Sequence, residues 1–302
     1  MRWNKLGLVF SPKNEYPWMA SHAANPVSLH LSGDLYRVYF ASRDDKNRSH
    51  IGFVEIDITN PLEILDMSTN PVMAPGPLGF FDDHGVYASS IISNNGNLWM
   101  YYTGWNPGPY PMYYPSVGVA VSEDSGKSFK RLRNSPILAR TEVDPWMISQ
   151  PCVIKDGTIF KMWYISGIKW EHDEDEELHS YYDVKYGESE DGLNWSRDGE
   201  ISLALENKER NIARPCVIKH GENFKAWYPV NYGEGYRIGY AESLNGRSWN
   251  RIDSEIGLQP SKSGWDSDAV TYPWVIVHKG RHYMFYNGNG FGRDGFGIAV
   301  EA

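Results

Sequence analysis

One arrangement of short β-type runs recurs five times along this chain, about every 60 residues, and a repeat of that period restricts the fold to a closed or stacked array of like units. The copy from Ala213 to Ile252 shows it most clearly. Cys216–Lys219, Phe224–Tyr228 and Arg237–Glu242 are rich in Val, Ile, Tyr, Trp and Phe, and a fourth run begins at Ser248. His220-Gly221 and Asn245-Gly246 punctuate them as turns. The first run superposes on stretches starting at Asn25, Ala88, Gln150, Arg214 and Tyr272. The second returns as LYRVYFAS, LWMYYTG, FKMWYIS, FKAWYPV and HYMFYNG, and the third as IGFVEID, VGVAVSED, VKYGESED, RIGYAESL and FGIAVEA.

Each copy reads as a four-stranded antiparallel meander, so the expectation is an all-β chain: a five-bladed β-propeller forming a single domain over residues 1–302. The fifth copy ends at Ala302 without a fourth strand. Trp3-Asn4-Lys5-Leu6 matches Trp249-Asn250-Arg251-Ile252, so the N-terminal strand is expected to complete the last blade and remove both open edges. Aromatic residues at 14% and 29 glycines suit tightly turned β-structure.

Composition narrows the partners. A net charge of −9 argues against nucleic acid, and no apolar run reaches membrane-spanning length. Residues 1–12 lack a small-residue cleavage site, and Cys152 and Cys216 occupy equivalent positions inside β-runs as reduced packing residues; both point to a cytoplasmic protein. The run Glu171–Glu177 with His179 has neither calcium-loop nor zinc spacing and reads as a solvated loop, so no metal and no cofactor are expected.

In an up-and-down blade, the loop leading into the first strand and the loop joining strands two and three share a face. Those ten loops hold carboxylates, histidines, arginines and flat rings, whereas the opposite face receives plain turns such as Asn94-Asn95-Gly96 and Asp156-Gly157. One funnel mouth is therefore expected to carry the chemistry. The candidate catalytic carboxylates there are Asp83, Asp268, Asp266, Glu142 and Asp144. The candidate binding residues are His22, Asn25, His84, Trp105, Gln150, Trp170, Arg214, Tyr232, Tyr272 and Arg293. The rings offer stacking faces for sugars, and the arginines offer forks for a carboxylate or phosphate.

The blade plan, Asn25-Pro26, the repeated Trp-Tyr of the second strands and Ser189-Glu-Asp-Gly-Leu-Asn-Trp195 resemble the five-bladed glycoside hydrolases of families 43 and 32 and the family 130 mannoside phosphorylases. The resemblance implies a saccharide or glycoconjugate substrate and an enzyme that cleaves or transfers a glycosidic linkage. A glycosyl phosphorylase or transferase and a non-catalytic sugar-binding propeller are the alternatives. The three acids such enzymes carry at the starts of first strands fall here on Asn25, Gln150 and Arg214, so that triad does not transfer. Ser122–Phe129 also resembles the Asp-box turn of sialidases, which is structural. Of the carboxylates, Asp83 and Asp268 form the favoured pair, with His84 and Arg214 orienting substrate.

Overall fold

The computed structural model describes residues 1–233, 235–256 and 258–302. Strands dominate, and among the described residues the only helical elements are two short 3-10 turns, Asp253–Glu255 and Asn289–Gly292. Among those residues no helix is long and apolar enough to cross a membrane.

The strands fall into five antiparallel sets. β1 (Trp3–Phe10) stands apart at the N-terminus; the first set is β2 (Ser21–Ser32), β3 (Leu35–Arg43), β4 (Ser49–Asp57) and β5 (Ile64–Met67). The second is β6 (Gly85–Asn94), β7 (Asn97–Pro107), β8 (Tyr113–Ser122) and β9 (Lys130–Arg131). The third is β10 (Ile148–Asp156), β11 (Ile159–His172), β12 (Leu178–Ser189) and β13 (Ile201–Leu203). After the two-residue β14 (Asn211–Ile212) come β15 (Cys216–His220), β16 (Asn223–Asn231), β17 (Tyr236–Ser243) and β18 (Asn250–Arg251). The last set is β19 (Thr271–His278), β20 (Arg281–Asn287) and β21 (Phe296–Glu301), and its fourth strand is β1, paired from Trp3↔Glu301 to Phe10↔Phe296.

Hydrogen bonding divides these sets into three sheets rather than five, because single parallel bridges join neighbours: Ser49↔Gly85 links the first two sets and Tyr182↔Asn211 the third and fourth. The bridge at Gly85 needs glycine, since an added Cβ would lie 2.1 Å from the Trp105 indole nitrogen and 2.2 Å from Ser49 Oγ. Among the described residues no sheet closes on itself. The first strands instead neighbour one another in cyclic order, β2 to β6, β6 to β10, β10 to β15, β15 to β19 and β19 to β2.

Two repeated devices hold adjacent sets together, and a third braces single sets. Ser90, Cys152 and Cys216 each accept the backbone N–H of the next first strand, from Val153 (3.1 Å), Val217 (3.3 Å) and Val275 (3.1 Å). The matched cysteines are thus buried sulfur acceptors as well as packing groups. On the turn-bearing face, Tyr39, Tyr101 and Trp163 donate to the carbonyls of Gly126, Gly192 and Gly246 in the next set's turn (2.8, 3.0 and 2.6 Å). Between sets, apolar clusters such as Val27, Tyr39, Phe53, Val86, Met100 and Tyr102 exclude water.

The third device braces the opposite face. Asp82, Asp144 and Asp266 sit in the loops before first strands, and each accepts from the tyrosine 20 residues later, Tyr102, Tyr164 and Tyr286. A cation from a later strand or loop completes each brace: Arg131 on Asp82 (2.7 Å), Arg197 with Lys185 on Asp144, and Lys5 on Asp266 (2.6 Å). In the fourth set Glu209 and Asp253 share Arg251, with Tyr228 on Asp253. The N-terminal Lys5 thus fills the place of Arg251, as the match between their two segments anticipates.

Candidate functional site

Four of the five first strands carry register shifts near their starts. Register shifts lie between Ser21 and Ala24 and between Ala24 and Val27 in β2, Ala88 and Ser90 in β6, Ser149 and Cys152 in β10, and Thr271 and Trp274 in β19. His22, Asn25, Gln150 and Tyr272 take positive φ there (63°, 55°, 47° and 48°), which non-glycine residues hold only where the surroundings over-determine them. These bulges interrupt the ladders where the first strands adjoin one another and re-aim the side chains there.

A polar floor results. Gln150 Nε2 donates to Asn25 Oδ1 (3.2 Å), and its Oε1 accepts the backbone N–H of Arg214 (3.3 Å). Asn287 fixes Asn25 through its backbone (2.8 Å). Arg214 is fully buried and reaches past the floor, its Nη2 donating to the carbonyls of Pro26, Tyr272 and Pro273 while its guanidinium lies 5.4 Å from the Trp274 ring centroid. Burial lowers its pKa to about 10, so it stays charged. Arg214, expected to orient substrate, is thus buried and held by backbone carbonyls through Nη2, while its Nε and Nη1 have no hydrogen-bond partner among the described residues.

Above the floor stand five tyrosines that influence one another electrostatically: Tyr87, Tyr113, Tyr182, Tyr236 and Tyr272. Tyr182 and Tyr236 hydroxyls meet at 2.5 Å. Thr103 and Ser149 flank the Tyr87 hydroxyl, Ser180 that of Tyr113, and Gln150 that of Tyr272. Burial raises the pKa of all five, that of Tyr272 to about 12, so each phenol is a neutral donor at physiological pH. Trp170 packs edge-on to Tyr113 with centroids 6.0 Å apart, and Phe291 lies against Tyr236 at 5.9 Å. Flat apolar faces ringed by neutral hydroxyls suit a sugar, whose C–H faces stack and whose hydroxyls exchange hydrogen bonds.

Cations border this ring. Arg43 ends β3, and His22 follows Ser21, which pairs with Arg43. Burial, then Arg43 and Arg293, lower the His22 pKa to about 4, with Asp294 opposing them. Arg293 itself is largely exposed and bonds its neighbour Asp294 at 2.9 Å.

The expected carboxylates divide by environment. Asp144 and Asp266 are buried in the braces described above, each neutralised by a cation and a tyrosine. Asp83 is half-buried and meets neutral donors, Asn106 Nδ2 at 2.6 Å and the Gly79 N–H at 2.8 Å. Asp268 is exposed beside Ser267 (2.9 Å), with Arg293 within electrostatic reach, and Glu142 is exposed. Of the remaining expected residues, His84 lies edge-on to Trp105 at 4.6 Å, and Trp105 is anchored by its indole N–H to Ser49 (2.9 Å). Tyr232 is 46% exposed.

Sequence analysis places all five of these tyrosines on the funnel-mouth loops, with Tyr113 as a stacking ring, but counts only Tyr272 among the candidate binding residues. It also passes over Asp183, 3% exposed, whose pKa burial raises to about 6 against the pull of Lys185. Asp183 lies beside the Asp144 brace, and its Oδ1 has no hydrogen-bond partner among the described residues. A separate groove of about 450 Å³ between His220 and Asn250 lies on the turn-bearing face, away from the tyrosine ring.

No protein-family model matches the chain. It is 39% identical over 301 residues to Uncharacterized protein MT1551 of Mycobacterium tuberculosis (strain CDC 1551 / Oshkosh), and 38% identical to Uncharacterized protein Rv1502 of strain ATCC 25618 / H37Rv, each spanning 99% of both chains. Among solved structures it is similar to a glycoside hydrolase with a TM-score of 0.77 at 19% identity, over 99% of this chain and 91% of that one. A structure from the GH130 family of mannoside phosphorylases gives a TM-score of 0.72 at 16% identity, over 99% and 93% of the two chains. A thermostable family-43 glycoside hydrolase gives 0.66 at 16%, over 93% and 89%.

Proposed function

This chain belongs to one family with the two Mycobacterium tuberculosis proteins and has the fold of the glycoside hydrolase-like propeller superfamily, and we propose that it is a carbohydrate-active enzyme that binds a saccharide in the tyrosine-lined funnel and cleaves or transfers a glycosidic linkage there. The observation that carries this reading is the ring of five neutral phenols above the Asn25–Gln150–Arg214 floor. The cyclic order of first strands, with β1 as the last set's fourth strand, supports a five-bladed propeller around that funnel. The two unpaired cysteines support a cytoplasmic setting.

Glycosyl transfer asks for a proton on the departing oxygen and a carboxylate or activated nucleophile at the anomeric carbon. Asp144 and Asp266 are assigned to bracing, because a carboxylate buried against a cation and a tyrosine is not free to approach a sugar. Asp83 and Asp268 are the proposed pair, since neither sits in an ion pair among the described residues. Their separation decides the stereochemistry: about 5–5.5 Å between carboxyls suits retention and about 6.5–9.5 Å inversion.

A second reading has its own support. With Asn25, Gln150 and Arg214 at the first-strand positions and two rim acids in braces, the funnel also fits a non-catalytic sugar-binding module. The deciding experiment is turnover of a glycoside panel, with and without phosphate, by the wild type and by Asp83→Asn and Asp268→Asn. Loss of turnover by several orders of magnitude with unchanged melting supports the enzyme and this pair. Turnover that survives both substitutions refutes the pair, and saccharide binding without turnover selects the binding module.

A further inference from the structure

Most arginines of the inner structure are neutralised by a carboxylate: Arg37 by Glu55, Arg48 by Asp44, Arg131 by Asp82, Arg197 by Asp144 and Arg251 by Glu209. Arg43 is not. It is half-buried at the end of β3, and its guanidinium donates only to the Asn47 side-chain amide at 2.7 Å among the described residues. Tyr87 and Tyr272 of the funnel lie within its electrostatic reach. The adjacent His22 is held in a left-handed backbone conformation, with its Nδ1 at 2.9 Å from Ser21 Oγ. The Asn289–Gly292 turn packs tightly on the same stretch of β2, since an added Cβ at Gly292 would lie 2.8 Å from the Ala24 Cα. That contact brings Arg293 to the same edge.

A half-buried guanidinium without a carboxylate, next to a second arginine and a strained histidine, is costly in the free protein. On a chain of net charge −9 such a cluster is retained where it meets a negative ligand. Resting on the saccharide reading above, we propose that the funnel selects a saccharide bearing a negative charge on the sugar itself, a carboxylate or a phosphate ester, with Arg43 as its principal ligand and His22 and Arg293 beside it. Tyr87 and Tyr272 then lie under the sugar ring that carries the charge. Asp294 holds Arg293 and leaves Arg43 as the free cation of the cluster.

Calorimetric titration with galacturonic acid against galactose, glucuronic acid against glucose, and glucose 6-phosphate against glucose tests this directly. A charge-assisted hydrogen bond contributes enough that the charged member should bind about 10- to 100-fold more tightly. Arg43→Gln should erase that preference by weakening the charged sugars to the level of the neutral ones, without lowering the melting temperature. Arg43→Lys, which keeps the charge without the planar fork, should retain part of it; this covers a Gln variant that fails to fold. The carboxylate and ester arms show which group is preferred, and inorganic phosphate alone is the control. Neutral sugars binding as well as charged ones, or a preference that survives Arg43→Gln, overturns the inference and leaves the saccharide reading standing. Inorganic phosphate binding as tightly as the sugar acids also overturns it. Failure of every sugar to bind overturns both.

Discussion

Replacing Asp183 by asparagine should stabilise the protein at pH 8 and not at pH 4. The side chain is 3% exposed, its Oδ1 lacks a hydrogen-bond partner among the described residues, and the charge on Asp144 adds to the burial that raises its pKa from 3.8 to about 6. A folded-state pKa above the unfolded one means that the native state holds more protons between those two values. Stability therefore falls as pH rises from about 4 to about 6, and the full penalty of the buried charge is present above that window. The difference between the two pKa values corresponds to about 3 kcal/mol at neutral and alkaline pH. With an unfolding entropy of about 2.1 cal/mol/K per residue, that is roughly 5 °C in melting temperature for this chain. The asparagine side chain keeps the shape and cannot ionise, and any cost of its own unsatisfied amide applies equally at both pH values. Thermal unfolding of the two proteins from pH 4 to 8 should show the gap opening between about pH 4 and 6 and holding constant above. A gap independent of pH refutes the electrostatic reading of this residue.

Removing residues 1–10 deletes β1 with its buried Trp3, Val9 and Phe10, about 1.5–3 kcal/mol each, and bares the β21 edge; against a typical total of about 5–15 kcal/mol, cooperative unfolding should be lost, and an unchanged melting curve contradicts ring closure by β1. Asp144→Asn leaves Arg197 and Lys185 without their buried partner and should cost about 3–5 kcal/mol of stability, whereas a catalytic Asp144 requires lost turnover at unchanged melting. Tyr182→Phe breaks the contact with Tyr236 and should weaken saccharide binding about 3- to 10-fold with little effect on melting; equal affinity removes the phenol pair from the site.

The architecture was legible because its signals are local. Alternating apolar residues, the Trp-Tyr pairs of β11 and β16 and the Gly turns recur with the repeat, and the Trp3–Leu6 match located the strand that completes the last set. The joining of neighbouring sets into three sheets was not legible, since it rests on the single bridges at Gly85 and Asn211. Acids were harder to read. Asp144 meets Arg197, 53 residues away, so its neutralisation is a property of packing. A signal did exist: Asp82, Asp144 and Asp266 each stand 20 residues before a second-strand tyrosine, and a feature that recurs in three repeats speaks for bracing those sets rather than for one asymmetric reaction centre. The burial of Arg214 against the carbonyls of Pro26, Tyr272 and Pro273 was not legible, because nothing in Ala-Arg-Pro-Cys reveals which way its side chain turns. The five tyrosines were legible as funnel-mouth residues one by one, but their mutual contact, such as that of Tyr182 with Tyr236, 54 residues away, is a property of packing.

The central claim is that the tyrosine ring above the Asn25–Gln150–Arg214 floor is where this protein meets a saccharide. A crystal structure of the protein with an oligosaccharide bound at saturating concentration tests it most directly. The account predicts a sugar ring in contact with Tyr87, Tyr182, Tyr236 and Tyr272, with its charged substituent, where it has one, at Arg43. A saccharide seated instead in the groove between His220 and Asn250 on the turn-bearing face, or a funnel still free of sugar at saturation, contradicts it.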